Sequence, residues 1–153
     1  MLRIEINNKS DIGKTAKSFI DQGALVPDEV LLDIIDSRLS DSNIQNGYLL
    51  DGFPRTIPQA EGLNDILKNN SQKLDAVVSL TANENELIER LIKRGRDSGR
   101  SDDTPEIIKQ RQEVYWKQTS PLVNFYNDEK LLKEIDGIGE INEIKNRILE
   151  ALN

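Results

Sequence analysis

The sequence predicts an α/β layered domain in which parallel strands are joined by crossover helices. Helical and extended patterns alternate along the chain, which is typical of repeated β-α-β units. The segment over residues 74–80 is apolar through most of its length, as expected for a strand covered on both faces. A chain of 153 residues suits one domain with its own core.

Two helices are predicted before residue 40. The first covers residues 11–22 and is ended by Gly23. The second opens at Pro27, with Asp28 as its N-cap. Its apolar residues recur at helical spacing and are expected to be buried. They are Leu31, Leu32, Ile34, Ile35 and Leu39.

A short apolar strand is predicted over residues 47–51, stopped by Gly52 and Pro54. A helix over residues 58–68 follows it. Ligands of open parallel sheets bind beyond the carboxyl ends of the strands. The residues after this strand are therefore the first candidates for a site.

Beyond the strand over residues 74–80, a helix is predicted over residues 83–94, with Gly95 as the residue that ends it. Another helix starts at Thr104, which has the pattern of a cap followed by proline, and is kinked or broken at Pro121. The chain closes with a strand over residues 131–135 and a helix over residues 140–152.

Composition narrows the classes of function. The net charge of -7 opposes attraction to nucleic acids and anionic membranes, so no partner of either kind is expected. Cysteine and histidine are absent, which excludes disulfides and thiolate chemistry and argues against zinc. Carboxylates suit Mg²⁺ better. No apolar run approaches the roughly 20 residues of a membrane span, and no signal-peptide pattern begins the chain, so a cytoplasmic protein is expected.

The segment from Asp51 to Arg55 has the residue types of a phosphate site. A carboxylate at the end of a strand can hold the hydration shell of Mg²⁺ beside a nucleotide. Gly52 permits close approach of a ligand, Pro54 fixes the turn, and Arg55 can bind a phosphate with two parallel hydrogen bonds. The alternative is a surface turn with a solvated arginine.

A second group of cations lies at one helix end and the loop that follows it. It consists of Arg90, Lys93, Arg94, Arg96 and Arg100. Cations also favour a helix carboxyl terminus for purely structural reasons, and this alternative stays open. Phosphoryl transfer needs such arginines, because its transition state spreads negative charge over oxygens and requires no nucleophilic side chain.

Residues 50–60, Leu-Asp-Gly-Phe-Pro-Arg-Thr-Ile-Pro-Gln-Ala, are similar to the signature of the adenylate kinase family. This resemblance implies a three-layer, P-loop NTPase-like α/β fold with a parallel sheet. It also implies a nucleoside monophosphate kinase that converts ATP and AMP reversibly into two ADP. Mg²⁺ would accompany ATP, held through water by Asp51.

The resemblance assigns an AMP side. Arg3 and Arg55 would bind the AMP phosphate, and Gln59 would hydrogen-bond the adenine. Further AMP-binding residues implied by the resemblance are Leu25, Val26 and Gly52. In related uridylate and cytidylate kinases an asparagine is usual at the position of Gln59, so glutamine favours AMP; a UMP/CMP-type kinase is the alternative.

The resemblance also assigns an ATP side, with a short lid that lacks the zinc-binding insertion of some relatives. The arginines that would bind ATP phosphates and the transferring group are Arg90, Arg94, Arg100 and Arg111. Gly137 would contact the ATP adenine. The implied divisions are an AMP-binding segment over residues 1–26, a core over 27–94, the lid over 95–103 and the carboxy-terminal part of the core over 104–153. Members of the family are usually monomers.

One departure from the family is clear: the sequence contains no Gly-x-x-x-x-Gly-Lys-[Ser/Thr]. Gly13-Lys14-Thr15 lacks the preceding glycine and strand, so it is interpreted as helix. Family members carry roughly thirty further residues before the position of Met1. The chain is therefore expected to be an amino-terminal truncation whose sheet lacks its first two strands and whose own activity is low. The alternative is a shortened, non-catalytic nucleotide-binding or interaction protein.

Overall fold

The computed structural model describes residues 2–40, 47–98 and 102–153, except the side chains of Arg3 and Ile4. Its helices are α1 (Leu2–Asn7), α2 (Asp11–Ile20), α3 (Asp28–Leu39), α4 (Ile57–Asn69), α5 (Glu84–Ser98), α6 (Pro105–Val114), a π-helix (Tyr115–Thr119), α7 (Pro121–Asp128) and α8 (Ile141–Leu152). The strands are β1 (Val77–Thr81) and β2 (Leu132–Asp136). Within the described ranges, each helix is too short or too polar to cross a bilayer.

The two strands pair in parallel, with Val77 opposite Leu132 and Thr81 opposite Asp136. The chain between them contains α5, α6, the π-helix and α7, since parallel neighbours require a long crossover connection. This arrangement confirms the predicted α/β class with a parallel sheet. It also confirms the predicted strands near residues 74–80 and 131–135, with shifted bounds.

The predicted strand over residues 47–51 is wrong, because this segment does not join the sheet. Its side chains still alternate: Tyr48 and Leu50 pack against the core, whereas Leu49 is 89% exposed. The apolar pattern sets which side chains face inward, but a strand also needs a hydrogen-bonded neighbour. Asp51 therefore follows an extended segment and not a strand of the sheet.

The helix starts predicted at Pro58 and Thr104 are confirmed to within one residue, and each helix has a side-chain cap. Thr56 precedes α4 and accepts a hydrogen bond from the Gln59 amide at 3.2 Å. Thr104 does the same for α6 through the Ile107 amide at 3.4 Å. Gly13-Lys14-Thr15 lies inside α2, as expected for ordinary helix.

Two predictions about helix ends are wrong. Pro27, not Asp28, is the N-cap of α3, and Asp28 lies in the first helical turn with its carboxylate used elsewhere. Gly95 does not end α5, which continues to Ser98. A Cβ at Gly95 would lie 2.8 Å from the Asp103 carbonyl oxygen. The glycine therefore permits close packing and does not terminate the helix.

The core has two clusters, and α4 contributes to both. The first joins α3 to α4 through Ile35, Leu39, Leu63, Ile66 and Leu67. The second joins α4 to α7 through Ala60, Leu122 and Tyr126. Burial of the α3 apolar face is thus confirmed for Ile35 and Leu39, while the other predicted face residues, Leu31, Leu32 and Ile34, are half-buried.

Tyr126 is the least typical member of this core. It is 2% exposed, and its hydroxyl finds no hydrogen-bond partner among the described residues. Burial, with a smaller contribution from the charge of Glu129, raises the pKa of Tyr126 to about 12. The packing of the ring is therefore favourable, whereas the hydroxyl has lost its hydration without compensation.

Replacing Tyr126 by phenylalanine should leave the free energy of unfolding at pH 7 unchanged or raise it by about 1 kcal/mol, because an unsatisfied buried hydroxyl is removed. The matched control is Tyr48→Phe, which deletes a hydroxyl that donates to Gln72 Oε1 at 3.2 Å and should destabilise. Urea unfolding measures both. A clear loss of stability in Tyr126→Phe would contradict the account.

The stability of Tyr126→Phe should also differ from that of the wild type at alkaline pH. The unfolded tyrosine loses its proton near pH 10, whereas the folded one holds it to about 12. The wild-type free energy of unfolding should therefore fall between these values, by about 1.4 kcal/mol per pH unit from this group. Tyr126→Phe should lack this component of the slope, and equal slopes in the two proteins would contradict the prediction.

Candidate functional site

The segment between residue 51 and α4, residues 51–56, forms a turn that is called the Arg55 turn below. Gly52 lies in the left-handed region at φ +70°, and a Cβ there would lie 2.9 Å from Arg55 Nη2. Arg55 Nε donates to the Gly52 carbonyl oxygen at 2.8 Å. The turn therefore holds the guanidinium group close over Gly52, which only glycine accommodates without strain.

Gln59, in the first turn of α4, holds the backbone of the Arg55 turn from inside the protein. It is 0% exposed. Its Oε1 accepts from the Arg55 amide at 2.7 Å, and its Nε2 donates to Asp28 Oδ1 at 2.6 Å. Because an amide N–H only donates and a carboxylate only accepts, these two partners fix the orientation of the glutamine amide.

Asp28 links the same network to α3. Its second carboxylate oxygen accepts from Thr56 Oγ1 at 3.1 Å. The side chain therefore joins the start of α3 to the N-cap of α4 and to Gln59. Leu25 and Val26, two of the predicted AMP-binding residues, lie just before this helix, where Val26 is buried and Leu25 is half-buried.

The Arg55 turn is also held from the π-helix. Thr119 Oγ1 donates to the Arg55 carbonyl oxygen at 2.9 Å. Sequence reasoning missed Thr119: Pro121 indicated a break in the helix, but nothing in the pattern predicted a π-helix or a contact with residue 55. The Arg55 side chain is exposed at the surface, while its backbone N–H and C=O groups are both hydrogen-bonded.

Asp51 is exposed at the start of the Arg55 turn. In the part of the chain that the structure describes, it is not joined by other acidic residues into a cluster that could hold a metal. A single carboxylate suits Mg²⁺, which keeps several waters and takes oxygens from substrate phosphates. The donor set therefore fits a magnesium ion that arrives with a nucleotide better than a resident metal.

Two of the predicted ATP-side arginines share one buried carboxylate. Arg94 binds Asp103 through Nε at 2.7 Å and Nη2 at 2.8 Å. Arg111 Nη1 lies 2.9 Å from Asp103 Oδ1 and 3.2 Å from Asp102 Oδ2. The hydrogen bond to Asp103 raises the pKa of Arg94 above its ordinary value. Both guanidinium groups are thus fixed next to each other, with their side chains 38% and 29% exposed.

A third contact joins two other predicted ATP-side residues. Arg90 Nη1 donates to the Gly137 carbonyl oxygen at 3.2 Å, and its guanidinium also pairs with Glu86. Gly137 follows β2, and its amide donates to the Thr81 carbonyl oxygen at 2.7 Å. Arg90 is therefore held near the carboxyl ends of both strands, the edge where ligands bind in sheets of this type.

The loop before α3 approaches the arginine pair. A Cβ added at Gly23 would lie 3.3 Å from Cγ of Arg111. The unit of α6 and the π-helix thus contacts this loop through Arg111 and the Arg55 turn through Thr119. The roles of all the predicted site residues stay predictions. Arg100 lies outside the described residues, and of Arg3 the structure describes the backbone, within α1.

Comparison with known proteins shows the family to which this chain belongs. The family model described as adenylate kinase matches residues 1–131. The adenylate kinase of Bacteroides thetaiotaomicron is 47% identical over 153 residues, which cover 100% of this chain and 81% of the relative.

Other relatives give the same result. The adenylate kinase of Leifsonia xyli is 42% identical over 152 residues, covering 99% of this chain and 76% of the relative. That of Stenotrophomonas maltophilia is 44% identical over 152 residues, covering 99% and 81%. The resemblance of residues 50–60 is thereby confirmed, and the chain belongs to the adenylate kinase family of nucleoside monophosphate kinases.

Proposed function

We propose that the Arg55 turn binds the phosphate of AMP in the reversible conversion of ATP and AMP into two ADP. The observation that carries this proposal is the way the turn holds Arg55. Its Nε donates a hydrogen bond to the Gly52 carbonyl oxygen, and its backbone amide donates one to the fully buried Gln59 side chain. Such a guanidinium loses little further freedom on binding, and its planar fork suits a phosphate.

We assign Arg90, Arg94 and Arg111 to ATP and to the transferring phosphoryl group, with Arg100 and Arg3 as further phosphate ligands. The transition state spreads charge over its equatorial oxygens, and guanidinium groups already held in place stabilise it without reorganising. Asp103 supplies this support by binding both Arg94 and Arg111. Gly137 and its bond to Arg90 support a contact with the ATP base.

Mg²⁺ bound with ATP would neutralise charge on the nucleotide phosphates, and Asp51 would hold it through water. The residues of this chain bind the substrates and exclude water. Arginines bind and orient the phosphates, and the exclusion of water by a lid over residues 95–103 prevents hydrolysis. The binding of Arg94 to Asp103 supports this proposal, because it holds the last residue of the proposed lid against α5.

The remaining divisions, residues 1–26 for AMP binding and residues 27–94 and 104–153 for the core, are proposed with the same function. We also propose that the protein is a monomer in the cytoplasm and that its partners are ATP and AMP, with no nucleic acid or membrane. The net charge of -7 supports the absence of polyanionic partners.

A UMP/CMP-type kinase is the second candidate. The observation in its favour is that the Gln59 side chain already has partners within the protein. The glutamine amide is fully buried and binds Asp28 and the Arg55 amide. To hydrogen-bond a base, it must use its second Nε2 hydrogen or the second lone pair of Oε1, or exchange one of these partners. Gln59 supports adenine recognition by residue type, whereas its present contacts serve the turn.

Isothermal titration of the chain with AMP, UMP and CMP separates the two candidates. AMP should bind about three- to tenfold more tightly than either pyrimidine nucleotide, since a purine-specific amide hydrogen bond contributes about 1 kcal/mol. A preference for UMP or CMP would contradict the assignment of Gln59 and favour the second candidate.

Arg55→Ala should lower AMP affinity about ten- to a hundredfold, because a charge-assisted hydrogen bond to phosphate is lost. Adenosine, which has no phosphate, should bind Arg55→Ala and wild type equally. The control Lys68→Ala removes an exposed cation near the end of α4 and should leave AMP binding unchanged. Equal losses for AMP and adenosine in Arg55→Ala would contradict the phosphate assignment.

A chain of these 153 residues contains no phosphate-loop motif, so it should bind AMP yet turn over ATP and AMP slowly. A coupled assay should give a rate far below the roughly 1–10³ s⁻¹ of typical enzymes. The physical reason is that the motif supplies backbone amides and a lysine to the ATP phosphates. Turnover within the ordinary range would contradict this expectation.

A further inference from the structure

The hydroxyl of Thr119 makes a long-range contact that the proposed function does not use. It donates to the Arg55 carbonyl oxygen at 2.9 Å across 64 positions of the chain. The neighbouring hydroxyl has a local partner instead, since Ser120 Oγ donates to the Trp116 carbonyl oxygen at 2.8 Å. Thr119 therefore joins the π-helix to the Arg55 turn.

The π-helix gives Thr119 its direction. The Ser120 amide donates to the Tyr115 carbonyl oxygen at 2.8 Å, five residues back instead of the four of an α-helix. Each residue of an α-helix turns by about 100° about the helix axis, since there are 3.6 residues per turn. One residue added to a single turn therefore rotates the side chains that follow by about that angle. Short π-helical turns are rare and occur frequently at functional sites.

The contact completes the support of one peptide unit on each side of Arg55. Gln59 Oε1 accepts from the Arg55 amide at 2.7 Å, and Thr119 donates to its carbonyl at 2.9 Å. With Nε also bound to the Gly52 carbonyl oxygen, the backbone of Arg55 and its guanidinium group are both constrained. The Thr119 hydroxyl is therefore the partner that holds the carbonyl side of Arg55.

We propose that Thr119 is a positioning residue for phosphate binding: its hydroxyl holds the Arg55 backbone so that the guanidinium group is set for the AMP phosphate. This inference rests on the proposed function of Arg55. It adds that the π-helix delivers this hydroxyl, so a residue with no contact to the nucleotide controls affinity for the phosphate and not for the nucleoside.

The test compares AMP with adenosine by isothermal titration in matched variants. Thr119→Val keeps the side-chain shape and removes the hydroxyl, while Thr119→Ser keeps the hydroxyl. Ser120→Ala is the control, because the Ser120 hydroxyl donates to a local partner, the Trp116 carbonyl oxygen at 2.8 Å. Thr119→Ala replaces valine if the thermal melt shows that Thr119→Val does not fold.

Thr119→Val should weaken AMP binding about three- to tenfold, the effect of one hydrogen bond, and leave adenosine binding unchanged. Thr119→Ser should restore AMP affinity to within about twofold of wild type, and Ser120→Ala should match wild type. Wild-type AMP affinity in Thr119→Val, or equal losses for AMP and adenosine, would overturn the proposal, since a merely structural role weakens both ligands.

A double-mutant cycle with Arg55→Ala separates this inference from the proposed function. If Thr119 acts through Arg55, Thr119→Val should have no further effect on AMP binding once Arg55 is alanine. A full effect in that background would overturn the inference alone. An unchanged AMP affinity in Arg55→Ala itself would overturn the proposed phosphate role, and the inference with it.

Discussion

The buried amide of Gln59 is the interaction on which the candidate site depends. It is fully enclosed, and its two polar atoms bind groups from different parts of the chain: the Asp28 carboxylate on α3 and the Arg55 amide in the turn. A buried amide left without partners costs about 1–3 kcal/mol per group. The position of α3, the start of α4 and the backbone of Arg55 are therefore coupled, and the two core clusters on α4 keep this network in place.

Electrostatics concentrates on a few arginines in an acidic protein. With a net charge of -7, the chain repels anions at long range, so affinity for a nucleotide must come from local groups. In this protein, ion pairs hold the arginine side chains in place. Asp103, whose side chain is 0% exposed, binds both Arg94 and Arg111. The pairing and hydrogen bonding of its charge offset the cost of burying it, whereas removing either arginine would leave a buried carboxylate with less compensation.

The motif around Arg55, the cap at Thr104, and the strands near residues 77 and 132 could be predicted, because each depends on local residue types or on the spacing of apolar residues. The strand over residues 47–51 could not be excluded, since pairing is a property of the neighbour and not of the segment. Gly95 resembled a helix end because its close approach to Asp103 is tertiary. Two other residues could not be interpreted from their local sequence: Asp28 was assigned to a cap, and Thr119 was missed. The reason is that their hydrogen-bond partners lie 28 to 64 positions away along the chain.

The central claim is that a turn supported by Gln59 and Thr119 presents Arg55 to the phosphate of AMP. A crystal structure of the 153-residue chain with AMP tests it most directly. The account predicts that phosphate oxygens lie within about 2.7–3.2 Å of the Arg55 guanidinium nitrogens, with the bonds to Gln59 and Thr119 retained. AMP bound elsewhere, or bound with its phosphate in solvent and Arg55 turned away, would contradict the account.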